Sequence, residues 1–160
     1  MDRVYIGQIV GCHGIKGELR ILSNFPYKDK VFVVGKSLWI EDKEYVIKSY
    51  RVHKNYDMVT VNDYHDINEV LFLVKKDVYF KKEDLNLLDD EVLDEDLLTF
   101  DVYQVDGRHG RIQEIFFASP TNKVLRILFD REVLIPMNSP MIEKIDKEKK
   151  QVIIRFIDGV

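Results

Sequence analysis

The sequence predicts a mainly β fold in two small domains, with one short helix in the first. Three observations carry that expectation. β-Branched and aromatic residues recur in short runs, turn-forming residues separate the runs, and one acidic stretch interrupts them past the middle of the chain. A length of 160 residues suits one ordinary domain or two small ones, and 46% apolar with 32% charged residues is a composition that folds.

Taken in order, strand character covers 3–10, 17–22, 37–41, 44–53, 57–62 and 78–80 in the first half, then 101–105, 111–117, 123–129, 132–136 and 150–157. Turn chemistry falls between them as EDKE (41–44), KNYD (54–57), VDGRHG (105–110) and SPTN (119–122), and the Asp106-Gly107 step favours a tight turn with positive φ. The helix is expected over 66–75, DINEVLFLVK, where Ile67, Val70, Leu71 and Val74 make one buried stripe and Asp66 with Glu69 forms an acidic capping box. A short amphipathic helix among strands plugs the end or side of a barrel. Trp39 is expected in the core, and Tyr45, Tyr50 and Tyr56 are expected to fill barrel faces or cross-strand pairs rather than stack on bases.

Residues 85–101 hold seven acids and no base. Like charges at that density repel and keep a chain extended and wet, so 85–98 reads as an acidic linker between a first domain at 1–84 and a second at 99–160; the alternative is an acidic helix with Leu85, Leu88, Val92 and Leu93 facing a core.

Composition also removes whole classes of function. A single cysteine, Cys12, makes no intramolecular disulfide and points to a reducing compartment, the cytoplasm. The opening MDRVYIGQIVG lacks the regions of a signal peptide, and no segment approaches the roughly 20 apolar residues that span a bilayer. A soluble protein with no membrane partner is expected. A net charge of -4 argues against a general nucleic-acid coat, although residues 1–36 carry six Lys/Arg against three acids.

The densest cluster of unusual residues is IGQIVGCHGIKGELRI, 6–21. Gly11, Gly14 and Gly17 are spaced by three, no Ser or Thr follows Lys16, and a strand rather than a helix comes next, so the nucleotide-cradling patterns fail. His13, His53, His65 and His109 are scattered without a pairing that makes a metal site, and Cys12 and His13 point to opposite faces of an extended chain. No cofactor or metal is expected. An enzyme would have to use His13 or His109 as its base, and no second catalytic group is identifiable by spacing. What remains is a glycine-punctuated turn that displays His13, Lys16 and Arg20 toward something large.

At these residues the chain resembles the ribosome maturation factor RimM family. The resemblance rests on GxIVGxHGIKGELRI near the start, DINEVLFLVKKDVYF, VDGRHGRIQEI, and LIPMNSPMIEKIDKEKKQVII, in that order along nearly the whole chain. It implies an N-terminal barrel like those of translation-factor domains and a C-terminal barrel of the PRC type. It further implies a non-enzymatic, monomeric assembly factor without a small-molecule substrate. Such a factor binds the immature small ribosomal subunit and helps its head mature, through a head ribosomal protein and nearby rRNA. Carried onto this sequence, the ribosome and RNA contacts are His13, Gly14, Lys16, Gly17 and Arg20, with Arg3, Lys28 and Lys30 as candidate neighbours. The family's aromatic pair before the second domain is here Val92 and Leu93, assigned to ribosomal-protein contact, and Thr99 stands where a glycine is expected. Lys75 also replaces a glycine at the end of the helix. The alternative reading is a β-barrel adaptor or RNA-binding module with a non-ribosomal partner.

Overall fold

A computed structural model, described here for residues 2–156, divides the chain into two compact units, Met1–Asn86 and Leu87–Val160. The first contains β1 (Arg3–His13), β2 (Glu18–Leu22), β3 (Ser37–Ile40), β4 (Lys43–His53), β5 (Tyr56–Val61) and β6 (Asp77–Lys81), closed into a barrel in the order β1-β2-β5-β4-β3-β6. Alternating residues such as Leu19 and Ile21, Leu38 and Ile40, and Val78 and Phe80 are buried. Each such burial stabilises the fold by roughly 1.5–3 kcal/mol.

Closing six strands requires sharp bending, and β1 supplies it with register shifts between Tyr5 and Gly7 against β6 and between Ile9 and Gly11 against β2. Gly7 is fixed by space: a Cβ there would lie 2.6 Å from the Leu22 carbonyl oxygen. The β3–β4 turn is made by Glu41 and Asp42, with φ of 49° and 67°, the positive-φ geometry that a two-residue hairpin turn needs.

Two helical pieces lie among these strands, α1 (Lys28–Val31) and α2 (Ile67–Val70). The expected helix at 66–75 is thus shorter, with α2 passing into a 3-10 turn at Leu71–Leu73. Asp66 caps α2 as anticipated, accepting from the Asn68 amide at 2.7 Å. The stripe changes with the geometry: at three residues per turn Val70 and Leu73 share a face, and both are buried while Leu71 is exposed. Trp39 is likewise not a core residue; it is half-buried, with the Arg3 guanidinium 4.8 Å from its ring. Tyr45 is buried, and Tyr50 stacks on Phe32 at 5.3 Å while donating to Asp57 at 2.6 Å. Asp57 is 2% exposed and has Lys28 Nζ 2.8 Å away, which ties α1 to β5. Burial, then the Asp57 hydrogen bond, push the Tyr50 hydroxyl well above the ordinary tyrosine range.

Lys75 adopts φ of 75°, the left-handed conformation that glycine takes without steric cost. Its amide donates to the Ile9 carbonyl at 2.7 Å and its carbonyl accepts from Gln8 Nε2 at 3.1 Å, so β1 holds the backbone there. A left-handed non-glycine residue costs about 1–2 kcal/mol, and glycine's greater chain entropy returns part of that. Lys75→Gly is therefore expected to stabilise the first unit by about 1 kcal/mol, read as a higher urea midpoint with unchanged slope.

The second unit contains α3 (Asp94–Leu97), β7 (Asp101–Gln104), β8 (His109–Ser119), β9 (Asn122–Leu128), β10 (Glu132–Pro136), β11 (Ile142–Asp146) and β12 (Gln151–Ile154). Its six strands form one sheet in the order β10-β9-β8-β7-β12-β11, with β7 and β12 parallel and the other pairs antiparallel. Leu97, Phe100, Val102, Leu125, Ile127, Ile135, Val152 and Ile154 make its core. β11 is a strand the sequence reading lacks. A register shift between Ile142 and Lys144 places its apolar residues at 142 and 145, which removes the period-two signal. The expected last strand at 150–157 is seen as β12, with residue 157 outside the described residues.

The acidic stretch is not an extended connection. From Leu87 onward it belongs to the second unit, forms α3 and buries Leu97 completely. Lys147 Nζ donates to the Leu88 and Glu91 carbonyls at 2.6 and 2.8 Å, and Lys123 Nζ lies 2.6 Å from Asp94. Val92 and Leu93 are 5% and 4% exposed, and Val92 is part of the core cluster. As placed, neither side chain presents a surface to a partner.

Candidate functional site

β1 and β2 are joined by a four-residue turn in which Gly14 and Gly17 have φ of 76° and 79°. The two glycines do different work. Around Gly14 there is open space, so only its φ demands glycine. At Gly17 a Cβ would meet the Asp66 carbonyl oxygen at 2.9 Å and Val70 Cγ2 at 3.0 Å, so the turn is seated directly on the start of α2. The Ile67 amide donates to the Ile15 carbonyl at 2.9 Å from the same side. Braced in this way, the turn directs Lys16 to solvent and leaves Ile15 83% exposed.

Next to the turn lies a cross-strand cationic and aromatic patch. Arg20 on β2 approaches His13 on β1, with Nη2 3.3 Å from Nδ1. A guanidinium only donates, so Nδ1 is the acceptor in this contact. Arg20 also covers the Tyr56 ring at 5.3 Å, and the imidazoles of His13 and His53 are 5.3 Å apart. Arg51 closes the patch with paired hydrogen bonds to Glu18 at 2.8 and 2.7 Å. Strand pairing explains the convergence: Arg20 and Arg51 flank Met58 in register on opposite sides of β5, and His53 faces Tyr56 across the β4–β5 turn.

The charges shift one another. Desolvation, then Arg51, His13, Lys54 and Arg20, hold the His53 pKa below its ordinary value, which favours the neutral imidazole. The Arg51 hydrogen bond holds Glu18 below its ordinary value. Burial raises the Cys12 thiol against an opposing effect of Arg20, which leaves it a poor nucleophile near neutral pH. Among the described residues no group of three or more His, Cys, Asp or Glu side chains could hold a metal ion, and no helix is long and apolar enough to cross a membrane.

Of the residues read from the sequence, His13, Gly14, Lys16, Gly17 and Arg20 come together at this hairpin. Arg3 does not join them: it lies at the other end of the eleven-residue β1 and pairs with Asp42 at 2.9 Å. Lys28 is committed to Asp57. Arg51, His53 and Tyr56 are additions, brought in by the β2–β5 pairing, which is non-local. His109 faces Asp101 at 3.0 Å across β7 and β8 on the second unit.

Family models match both parts of the chain: RimM N-terminal domain over residues 4–85, and PRC-barrel domain over residues 89–160. The chain belongs to the RimM family. Ribosome maturation factor RimM proteins of Staphylococcus aureus strains JH9 and Newman are 34% identical over 165 residues, covering 99% of this chain and 98% of theirs. Two solved RimM structures are also similar. A Pseudomonas aeruginosa protein described as a 16S ribosomal RNA processing protein RimM has a TM-score of 0.47 at 19% identity, covering 99% of this chain and 100% of its own. The N-terminal domain of RimM from Thermus thermophilus has 0.48 at 22% identity, covering 54% of this chain and 98% of its own. This RimM-family chain thus carries the patch of Arg20, Arg51 and the two histidines on its N-terminal family domain.

Proposed function

We propose that this chain is a ribosome maturation factor that binds the immature small subunit and assists maturation of its head, without chemistry of its own. Membership of a family whose relatives are named for ribosome maturation supports the role. The observation that carries the RNA contact is the clustering of Arg20, Arg51, His13 and His53 beside the exposed Lys16, on a turn held rigid by α2. Cationic side chains fixed on strands and a braced turn suit phosphates without enclosing a reactant. Contact with a head ribosomal protein is assigned to the second domain. There the buried Val92 and Leu93 act by fixing the acidic segment around 88–96, whose carboxylates complement a basic partner and speed encounter.

The test is affinity for immature small subunits as a function of salt. Lys16→Ala/Arg20→Ala is expected to weaken binding at least tenfold and to flatten the log-log salt slope by roughly 1.5, since each phosphate contact contributes about -0.7 to -0.9. Unchanged affinity and slope would remove this assignment. A second measurement varies pH. Because its surroundings hold the His53 pKa below the ordinary value and an approaching phosphate favours the charged form, binding takes up a proton and should tighten from pH 7.5 to 6.0. His53→Gln should blunt that trend.

A further inference from the structure

A second surface on the first unit, away from the hairpin patch, has a different chemistry. Tyr5, Tyr79 and Trp39 stand in one cross-strand row: Tyr5 pairs with Tyr79 between β1 and β6, and Tyr79 pairs with Trp39 between β6 and β3. The row continues to Glu44, the register partner of Trp39 on β4. Tyr5 and Tyr79 meet edge to face at 5.8 Å, Tyr5 is 53% exposed, and Trp39 and Tyr79 are half-buried. Three adjacent strands make this aromatic strip roughly 10 Å wide.

Part of the strip is already occupied by a residue of the chain itself. Arg3 lays its guanidinium over Trp39 at 4.8 Å and ion-pairs with Asp42 at 2.9 Å. Aromatic face plus carboxylate is a complete guanidinium site, since the ring attracts the flat cation and the carboxylate takes its N–H groups. The other half of the strip repeats the components. Asp77, two residues before Tyr79 on the same face of β6, lies near Tyr5, and burial, then Asp77 and Tyr79, hold the Tyr5 hydroxyl above its ordinary pKa.

We propose that the Tyr5–Tyr79–Trp39 strip, with Asp77 and Glu44, docks an arginine-rich segment of a basic protein. Asp77 and Glu44 stand at the two ends, and the cations beside the row, Arg3 and Lys81, are paired with Asp42 and Glu83, which disfavours a phosphate backbone and separates this face from the hairpin patch. Arginine fits better than lysine because a planar guanidinium stacks on a ring and meets a carboxylate in plane, whereas an ammonium keeps its water. The inference stands independently of the rRNA reading.

Trp39 is the chain's single tryptophan, so its emission reports on this face. The full chain is titrated in 0.15 M salt with an alternating arginine-glycine peptide, the lysine-glycine counterpart, and oligouridylate. Expected are a saturable change in Trp39 emission with the arginine peptide, an affinity at least fivefold better than for the lysine peptide, and no saturable change with oligouridylate. Tyr5→Ser and Asp77→Asn should each weaken the arginine peptide at least fivefold, whereas Lys16→Ala/Arg20→Ala should leave it unchanged. Any of three results would overturn the proposal: no saturable change with the arginine peptide, equal affinities for both peptides that ignore Tyr5→Ser, or saturation by oligouridylate.

Discussion

Gly17→Ala is expected to destabilise the first unit by about 3 kcal/mol, lowering its thermal midpoint by more than 10 °C. Two costs add. An alanine at φ of 79° pays about 1–2 kcal/mol for the left-handed conformation, and its methyl must displace either the Asp66 carbonyl or Val70. Neither neighbour yields easily, because Asp66 begins and caps α2 and Val70 is buried. Gly14→Ala supplies the control: the same left-handed conformation with nothing within 4 Å should cost only that conformational part, about 1–2 kcal/mol. Differential scanning calorimetry of the two variants separates conformational strain from contact, and equal losses would show that the turn is not seated on α2.

The same pair of variants bears on function. If the turn presents Lys16 to phosphate because α2 holds it, Gly17→Ala should weaken small-subunit binding beyond its loss of folded protein, while Gly14→Ala should bind nearly normally. Lys16 is exposed and unchanged in both variants, so the difference isolates positioning.

How far all of this was legible in the residues depends on range in sequence. The eleven strands read from period two and turn chemistry are present, because alternation and turn residues act within a few positions; Ile142–Asp146 was missed where a bulge breaks the alternation. Resemblance supplied the family, and the two family domains match in that order. The hairpin site was half readable. Gly14 and Gly17 announced positive φ, and His13 to Arg20 is a local hairpin. Arg51, His53 and Tyr56 reach it only because β5 pairs with β2, which no local signal encodes. Charge misled most. Seven acids without a base suggested a solvated tether, yet Val92, Leu93 and Leu97 are threaded through that stretch, and their burial, with Lys147 and Lys123 holding the backbone and Asp94, folds it onto the sheet. Trp39 was misplaced for a related reason: on a barrel strand, size does not say which face a residue takes, and Arg3 makes the outer face attractive.

Val92→Asp is expected to have the largest effect of all, unfolding the second unit rather than removing a contact. A carboxylate at a position 5% exposed, within a cluster of Leu97, Phe100, Leu125 and Val152, meets no cation among those neighbours, so it must be desolvated or neutralised. The cost, at least about 4 kcal/mol, is comparable with the whole stability of a small domain. Hydrogen exchange on the full chain reads it locally: amides of Val102 on β7 and Ile127 on β9 should lose protection in Val92→Asp, and Val92→Ala should lower it only in part. The opposite pattern is equally readable. If Val92→Asp kept those amides protected and lost only its affinity for small subunits, the side chain would be acting at a surface, and the packing of the acidic segment against this sheet would be wrong.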